Sequence, residues 1–410
     1  MSDAIHIDDL AAPSFTPEVD EILRAMADMA DGRELDAAAL HEQASAATGL
    51  DDFGAEDYRE RLDVLLAALA VVPGLTPAGR VGFHAQLVQL LKNRLLLNDL
   101  LARHPEIHEI ELAPPVIIAG LPRTGTTHLH NLLAADPALR TLPYWESLEP
   151  MPLPSEVGVE PDPRRERTDQ ALWFVNAAMP LFPLMHEMTT DHAHEEIALL
   201  AVDFSTMFFE TLAHVPAWER YYREHDQAPH YRYLATMLRA LQHLRGGRRW
   251  LLKSPQHLEQ LPVVADVFPD ATVVVTHRDA ASVVVSLATM IAYTARMHAD
   301  PVDPATIGRA WADRVESMLA ACVRDRDVLS STQSIDVRFD DFMRDDMAVV
   351  REIYDLSGQP FDDGARFGIE TYRAGHERGR LGRIDYRAED VGLDDAELRE
   401  RFAFYTERFF

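Results

Sequence analysis

Only one cysteine, Cys322, is present in 410 residues. That excludes an intrachain disulfide and is compatible with a reducing compartment. Positive charge is also scarce. Thirty-nine Lys and Arg stand against 67 Asp and Glu, for a formal net charge of −28. Such a chain is a poor partner for the phosphate backbone of DNA or RNA, so no nucleic acid is expected. If it binds an anion, it must gather positive charge locally. No apolar run approaches the ~18 residues that a membrane span needs, so no membrane-spanning segment is expected. The opening Met1 to His6 lacks the basic and apolar regions of a secretory leader, and the expected location is cytoplasmic. No H-E-x-x-H pair accompanies the cluster Asp191, His192, His194, Glu195 and Glu196. Acidic residues at a helix start are explained by the helix dipole, and no metal is expected. With 47% hydrophobic and 26% charged residues the chain has an ordinary globular composition. Its length calls for two domains, or one large domain with an appended part.

The most informative stretch runs from Val116 to Thr127: Val116-Ile117-Ile118-Ala119-Gly120-Leu121-Pro122-Arg123-Thr124-Gly125-Thr126-Thr127. A β-branched run enters a glycine-bounded turn, and a helical pattern leaves it. This order builds an anion cradle, because loop amides and the helix N-terminus point at the ligand. Gly120 and Gly125 are expected to let the chain curl around an oxyanion. The stretch almost fits G-x-x-x-x-G-K-[ST], but Thr126 stands in place of the lysine. The charge sits at Arg123 instead. An NTPase needs that lysine on its β/γ-phosphates, whereas an arginine in the loop suits a phosphate-plus-sulfate group held without metal.

Residues 1–112 read as a helical N-terminal region. Thr16-Pro17 and Thr76-Pro77 open helices, and further patterns cover Leu35 to Ala47 and the leucines Leu62 to Leu69. Pro114-Pro115 marks the boundary to an α/β domain over 113–410. Its strands are expected at Val116 to Ala119, from Arg249, at Ala271 to Thr276, and at Ser334 to Phe339. The expected fold class is α/β, a P-loop-like open parallel sheet flanked by helices. The prolines from Pro143 to Pro163 make an irregular segment. Residues 164–245 return to helix, with soft apolar runs at Met179 to Met185 and Met207 to Phe209 that suit a core or a pocket for an apolar acceptor.

In open α/β sheets ligands gather at the carboxyl ends of strands. Three such ends deliver Arg123, Lys253 and Arg278 toward one edge, which suits a polyanionic ligand. Glu146 sits among apolar neighbours, where burial could raise its pKa toward general-base work. The tail Arg378-Gly379-Arg380-Leu381-Gly382-Arg383 reads as a flexible basic loop or as a phosphate-contacting loop.

These residues resemble the sulfotransferases that use 3′-phosphoadenosine 5′-phosphosulfate (PAPS), most of all the bacterial branch with a helical N-terminal extension. The family's 5′-phosphosulfate loop, P-[KR]-[ST]-G-T-[TS], corresponds to Pro122 to Thr127. Its 3′-phosphate motif is an arginine with a serine eight residues later, here Arg278 and Ser286. Lys253 matches a strand-end lysine, and Arg378-Gly379 with Gly382 is a loose version of R-K-G-x-x-G. The likeness covers about residues 113 to 387. It implies PAPS as co-substrate, adenosine 3′,5′-bisphosphate (PAP) as product, and in-line, metal-independent transfer to a hydroxyl of a small apolar or phenolic molecule or of a lipid. It further implies Arg123, Thr124, Gly125, Thr126 and Thr127 around the 5′-phosphosulfate, Arg278 and Ser286 at the 3′-phosphate, and Arg378 and Gly379 as further cofactor contacts. Arg123 and Lys253 would support the transferred group, and either Glu146 or His257 would act as base. Two other readings stand beside it: an ATP- and Mg²⁺-dependent small-molecule kinase, and a non-catalytic PAP-binding module. Whether the chain forms a homodimer is left open by the sequence.

Overall fold

The computed structural model describes residues 4–376 and 379–410. Its strands are β1 (Ala113–Ala119), β2 (Leu139–Arg140), β3 (Arg249–Ser254), β4 (Thr272–His277) and β5 (Ser334–Arg338). They form one sheet in the order β2-β3-β1-β4-β5, parallel throughout. Four of the five stand where the sequence places them. The fifth, β2, is two residues long and lies just before the proline-rich stretch. It exists through its pairing with β3, Leu139 opposite Arg249 and Arg140 opposite Trp250.

The central strands β1, β3 and β4 are buried without alternation because both faces of the sheet are covered there. The pleat still sorts them. Val116 and Ile118 share one core with Leu129, Leu132 and Leu133 of the helix Thr126–Ala134. Ile117 and Ala119 face the other, larger core with Trp250, Leu252, Val273 and Val275. The N-terminal helices feed that larger core. Leu62, Leu65, Leu91 and Leu95 belong to the same buried cluster as Ile117 and Ala119. Each such leucine stabilises the fold by roughly 1.5–3 kcal/mol. Thr16 and Thr76 cap their helices as the Thr-Pro pairs imply, accepting from Val19 N and Gly79 N. Near the C-terminus stand two short helices, Asp395–Arg401 and Ala403–Phe409. Leu398, Phe402, Tyr405 and Phe409 all enter the larger core. Among the described residues no helix is long and apolar enough to cross a membrane.

Registration of the sheet sets up the site. Ile118 lies opposite Lys253, and Ala119 lies opposite both Ser254 and Val275. The carboxyl ends of β1, β3 and β4 are therefore level, and the loops that leave them share one edge.

Candidate active site

The turn after β1 is built by close approach as much as by curvature. Gly120 does not take a left-handed backbone; a Cβ there would lie 1.9 Å from Thr276 Oγ1 on β4. Gly125 does, with φ +86°, as the N-cap of the helix Thr126–Ala134. Arg123 also has a positive φ, 70°, a conformation that costs a non-glycine residue about 1–3 kcal/mol and concentrates at functional sites. The Thr124 hydroxyl turns inward. It donates to Leu121 O at 2.6 Å and meets Thr276 Oγ1 at 2.8 Å. It shapes the loop, whereas Thr126 and Thr127, at the helix N-terminus, line a cavity.

Arg123 reaches across that cavity. Its Nε donates to Ser286 Oγ at 2.8 Å, Nη2 to the Tyr386 hydroxyl at 2.9 Å, and Nη1 to the Met185 carbonyl. Arg278 donates to the Arg123 carbonyl at 2.6 Å and lies 4.1 Å from the centre of the Phe339 ring. Arg123 thus touches both Arg278 and Ser286, and these three with Gly379 line a single cavity of about 2430 Å³. Arg378 falls outside the described residues. The volume is more than twice the ~300–1,000 Å³ of an ordinary ligand pocket, so two ligands fit. Two guanidinium groups, the Ser282 and Ser286 hydroxyls and a nine-residue helix N-terminus form a donor set that suits a nucleotide with phosphate at both ends.

Lys253 and the two candidate bases lie differently from the sequence expectation. Lys253 is 2% exposed and does not line the cavity. Its ammonium group donates to Glu195, which does line it, and its backbone N–H donates to Glu196 Oε2 at 2.9 Å. Glu196 also accepts from His257 Nε2, and His257 Nδ1 accepts from the Tyr231 hydroxyl at 2.8 Å. His257 is buried behind the cavity wall. Glu146 is buried too, but its oxygens are held by Arg140 at 2.6 Å and Arg245 at 2.9 Å, away from the cavity. The acid that sequence reasoning missed is Glu195. Glu196 does stand at the N-cap of the helix Ile197–Ala201, but both glutamates also reach Lys253. The usable signal was two adjacent carboxylates in a chain whose strand-end lysine needed partners.

Beside Glu195, the ring nitrogens of His186, His192 and His194 come within 4.8 Å of one another. These are the residues of this wall that could share an ion. Burial, reinforced by Lys253, pushes His186 down to about 3. Burial and the neighbouring histidines hold His194 well below its usual range. Both are neutral at pH 7. The cavity wall is also rich in soft apolar side chains, with Met26, Met179, Met185, Met188, Met290, Met297 and Met343. Methionine adapts its shape to the ligand it meets.

A family model described as the sulfotransferase family matches residues 114–363. Among solved structures the chain is similar to the sulfotransferase STF1 of Mycobacterium tuberculosis H37Rv. The two are 31% identical, the match covers 90% of this chain and 98% of that one, and the TM-score is 0.79. It is also similar to the sulfotransferase STF9 of Mycobacterium avium, with 26% identity, 91% and 96% of the two chains covered, and a TM-score of 0.81. A search of curated proteins found no match.

Proposed function

The chain belongs to the sulfotransferase family, and on that premise we propose that it moves a sulfuryl group from PAPS to a hydroxyl of a small apolar or phenolic acceptor, releasing PAP without a metal step. One observation carries the reading. A single cavity is lined by Arg123, Arg278 and the helix N-terminus, by a set of methionines and by Glu195. PAPS supplies an electrophilic sulfur on a stabilised leaving group. Arg278 and Ser286 are assigned to its 3′-phosphate, and Thr126, Thr127 and the helix N-terminus to its 5′-phosphate. Arg123 exchanges its contacts with Ser286 and Tyr386 for the departing phosphate oxygen and the sulfuryl oxygens, whose growing charge it neutralises. Its planar pair of donors suits that geometry.

We assign the proton acceptor to Glu195 in place of Glu146 or His257. It lines the cavity and touches Lys253. It takes the proton from the acceptor hydroxyl as that oxygen bonds to sulfur and the sulfur–oxygen bond to phosphate breaks. Glu146 serves Arg140 and Arg245, and His257 orients Glu196 beneath Lys253. The test is a metal-free thermal-shift titration with PAP and with ADP, on the wild type and on Arg278→Ala. A ligand at a hundred times its Kd stabilises the native state by about 2.7 kcal/mol. PAP alone should raise the melting temperature, and the variant should lose the rise. An equal response to ADP, or a normal response by the variant, overturns the assignment and directs the next assay to an Mg²⁺-dependent kinase.

A further inference from the structure

Next to the catalytic cavity lies a second pocket of about 260 Å³. Leu212, Ile291 and His298 line both spaces. A side chain that lines two cavities is the partition between them. We infer that the acceptor is an alcohol or phenol whose hydrocarbon body passes this partition and ends in the second pocket. The inference rests on the sulfotransferase reading and adds the class of acceptor.

The partition suits hydrocarbon. His298 carries no charge at neutral pH, since burial pushes it down to about 4. Its backbone is fixed. His298 O accepts from Thr76 N at 2.9 Å, and Ala299 pairs with Leu75. Its ring meets Phe83 edge-on with centres 5.7 Å apart. Leu212 is the adjustable member, as the last residue of a five-residue helix, and it is only partly buried. Beyond the partition the walls are Val72, Ala213, Val215, Ile307 and Trp311. The carboxylates and the guanidinium in that wall already have partners, Glu219 with Arg223 at 3.2 Å among them. Arg314 Nε donates to Glu210 at 2.5 Å, and its Nη2 donates to Glu259 at 2.6 Å. Asp303 accepts from the backbone and hydroxyl of Thr306 at 3.0 and 2.6 Å. A polar ligand entering this space would shed water and find these partners taken, which is costly. A methylene group gains there, by about fourfold in binding per group buried. The space far exceeds the ~10–15 Å³ that one water needs, so several methylenes can follow one another into it.

The experiment measures kcat/KM with PAPS for primary alcohols from butanol to dodecanol, on the wild type and on Ala213→Phe. Ala213 is buried and lines the second pocket alone. The wild type should gain up to about fourfold per added methylene and keep gaining after the catalytic cavity is filled. Ala213→Phe should reach its plateau at a shorter alcohol, with its thermal response to PAP equal to that of the wild type. If Ala213→Phe does not fold, Leu212→Phe closes the partition from the other side and should shorten the plateau likewise. Chain-length curves that coincide for wild type and variant, with PAP still stabilising both, overturn the inference and leave the sulfotransferase reading standing. Absence of any PAP response in the wild type overturns that reading itself. If no alcohol is turned over, the same series is followed by thermal shift of the PAP complex, and a shift that ignores chain length also overturns the inference.

Discussion

Gly120→Ala adds one carbon where the structure leaves no room for it. The new Cβ would lie 1.9 Å from Thr276 Oγ1 and 3.2 Å from both Thr124 Oγ1 and Thr126 Cγ2. Thr276 is buried on β4, and its hydroxyl is engaged with Thr124 at 2.8 Å. It cannot swing into water. Either the end of β1 retreats from β4, or Thr276 turns and gives up Thr124. Overpacking of this kind costs about 1–3 kcal/mol, and a lost buried hydrogen bond about 1 kcal/mol more. The expected loss is therefore about 2–4 kcal/mol. At about 2.1 cal/mol/K per residue, a chain of 410 residues unfolds with an entropy near ~0.9 kcal/mol/K. The melting temperature should fall by about 2–5 °C in scanning calorimetry. Thr276→Ala isolates the cause, since it removes the oxygen in the way and alone costs about 1 kcal/mol. In the double variant the steric part disappears, and the two changes should couple favourably by about 1–3 kcal/mol. A Gly120→Ala protein that melts with the wild type refutes the close approach, and so does a double variant with strictly additive losses.

Three further outcomes follow from the same geometry. Glu195→Gln should lower kcat by about 10²–10⁴ while the thermal response to PAP persists; joint loss of both would make Glu195 a structural residue. Glu146→Gln should leave kcat within a few-fold of wild type, because Glu146 is spent on Arg140 and Arg245. A fall like that of Glu195→Gln would restore Glu146 as the base. Asp336 sets an acid-side dependence. Burial pushes its carboxyl up, but hydrogen bonds from His277 and Arg326 outweigh burial and hold it at about 2, below the usual 3.8. The stabilisation is fully present above 3.8 and is lost as pH falls toward 2, the sign for a group whose folded pKa is depressed. With 43% of the side chain exposed, water limits it to about 0.5–1 kcal/mol. Asp336→Asn should melt slightly below the wild type at pH 7, and the gap should narrow in acid; a constant gap in circular dichroism melts contradicts the assignment.

The parts of the site that were legible in the sequence are those whose cause is local. A β-branched run, two glycines and a helical pattern within Val116 to Leu133 specify a strand, a turn and a helix N-terminus without help from the rest of the chain. The meeting of Arg123 with Arg278 and Ser286 is one step further, since it follows from where parallel strands end. Strand β2 was not legible, because two residues carry no period and only β3 holds them. The base was not legible for a related reason. Glu146 looked like a buried acid, and it is one, but its burial comes with Arg245 from 99 residues away, and its oxygens are taken up by that partner and Arg140. Glu195 and Glu196 looked like one feature because they are adjacent. In the fold they reach two different atoms of Lys253, across 58 and 57 residues of chain. Glu196 takes the backbone N–H and fixes the end of β3, whereas Glu195 takes the ammonium group and faces the cavity. On the proposed mechanism that division links two events. Glu195 becomes neutral when it accepts the proton, and its hold on the Lys253 ammonium behind it weakens. On that mechanism the lysine is kept in register by Glu196 at its backbone while Glu195 alone changes charge.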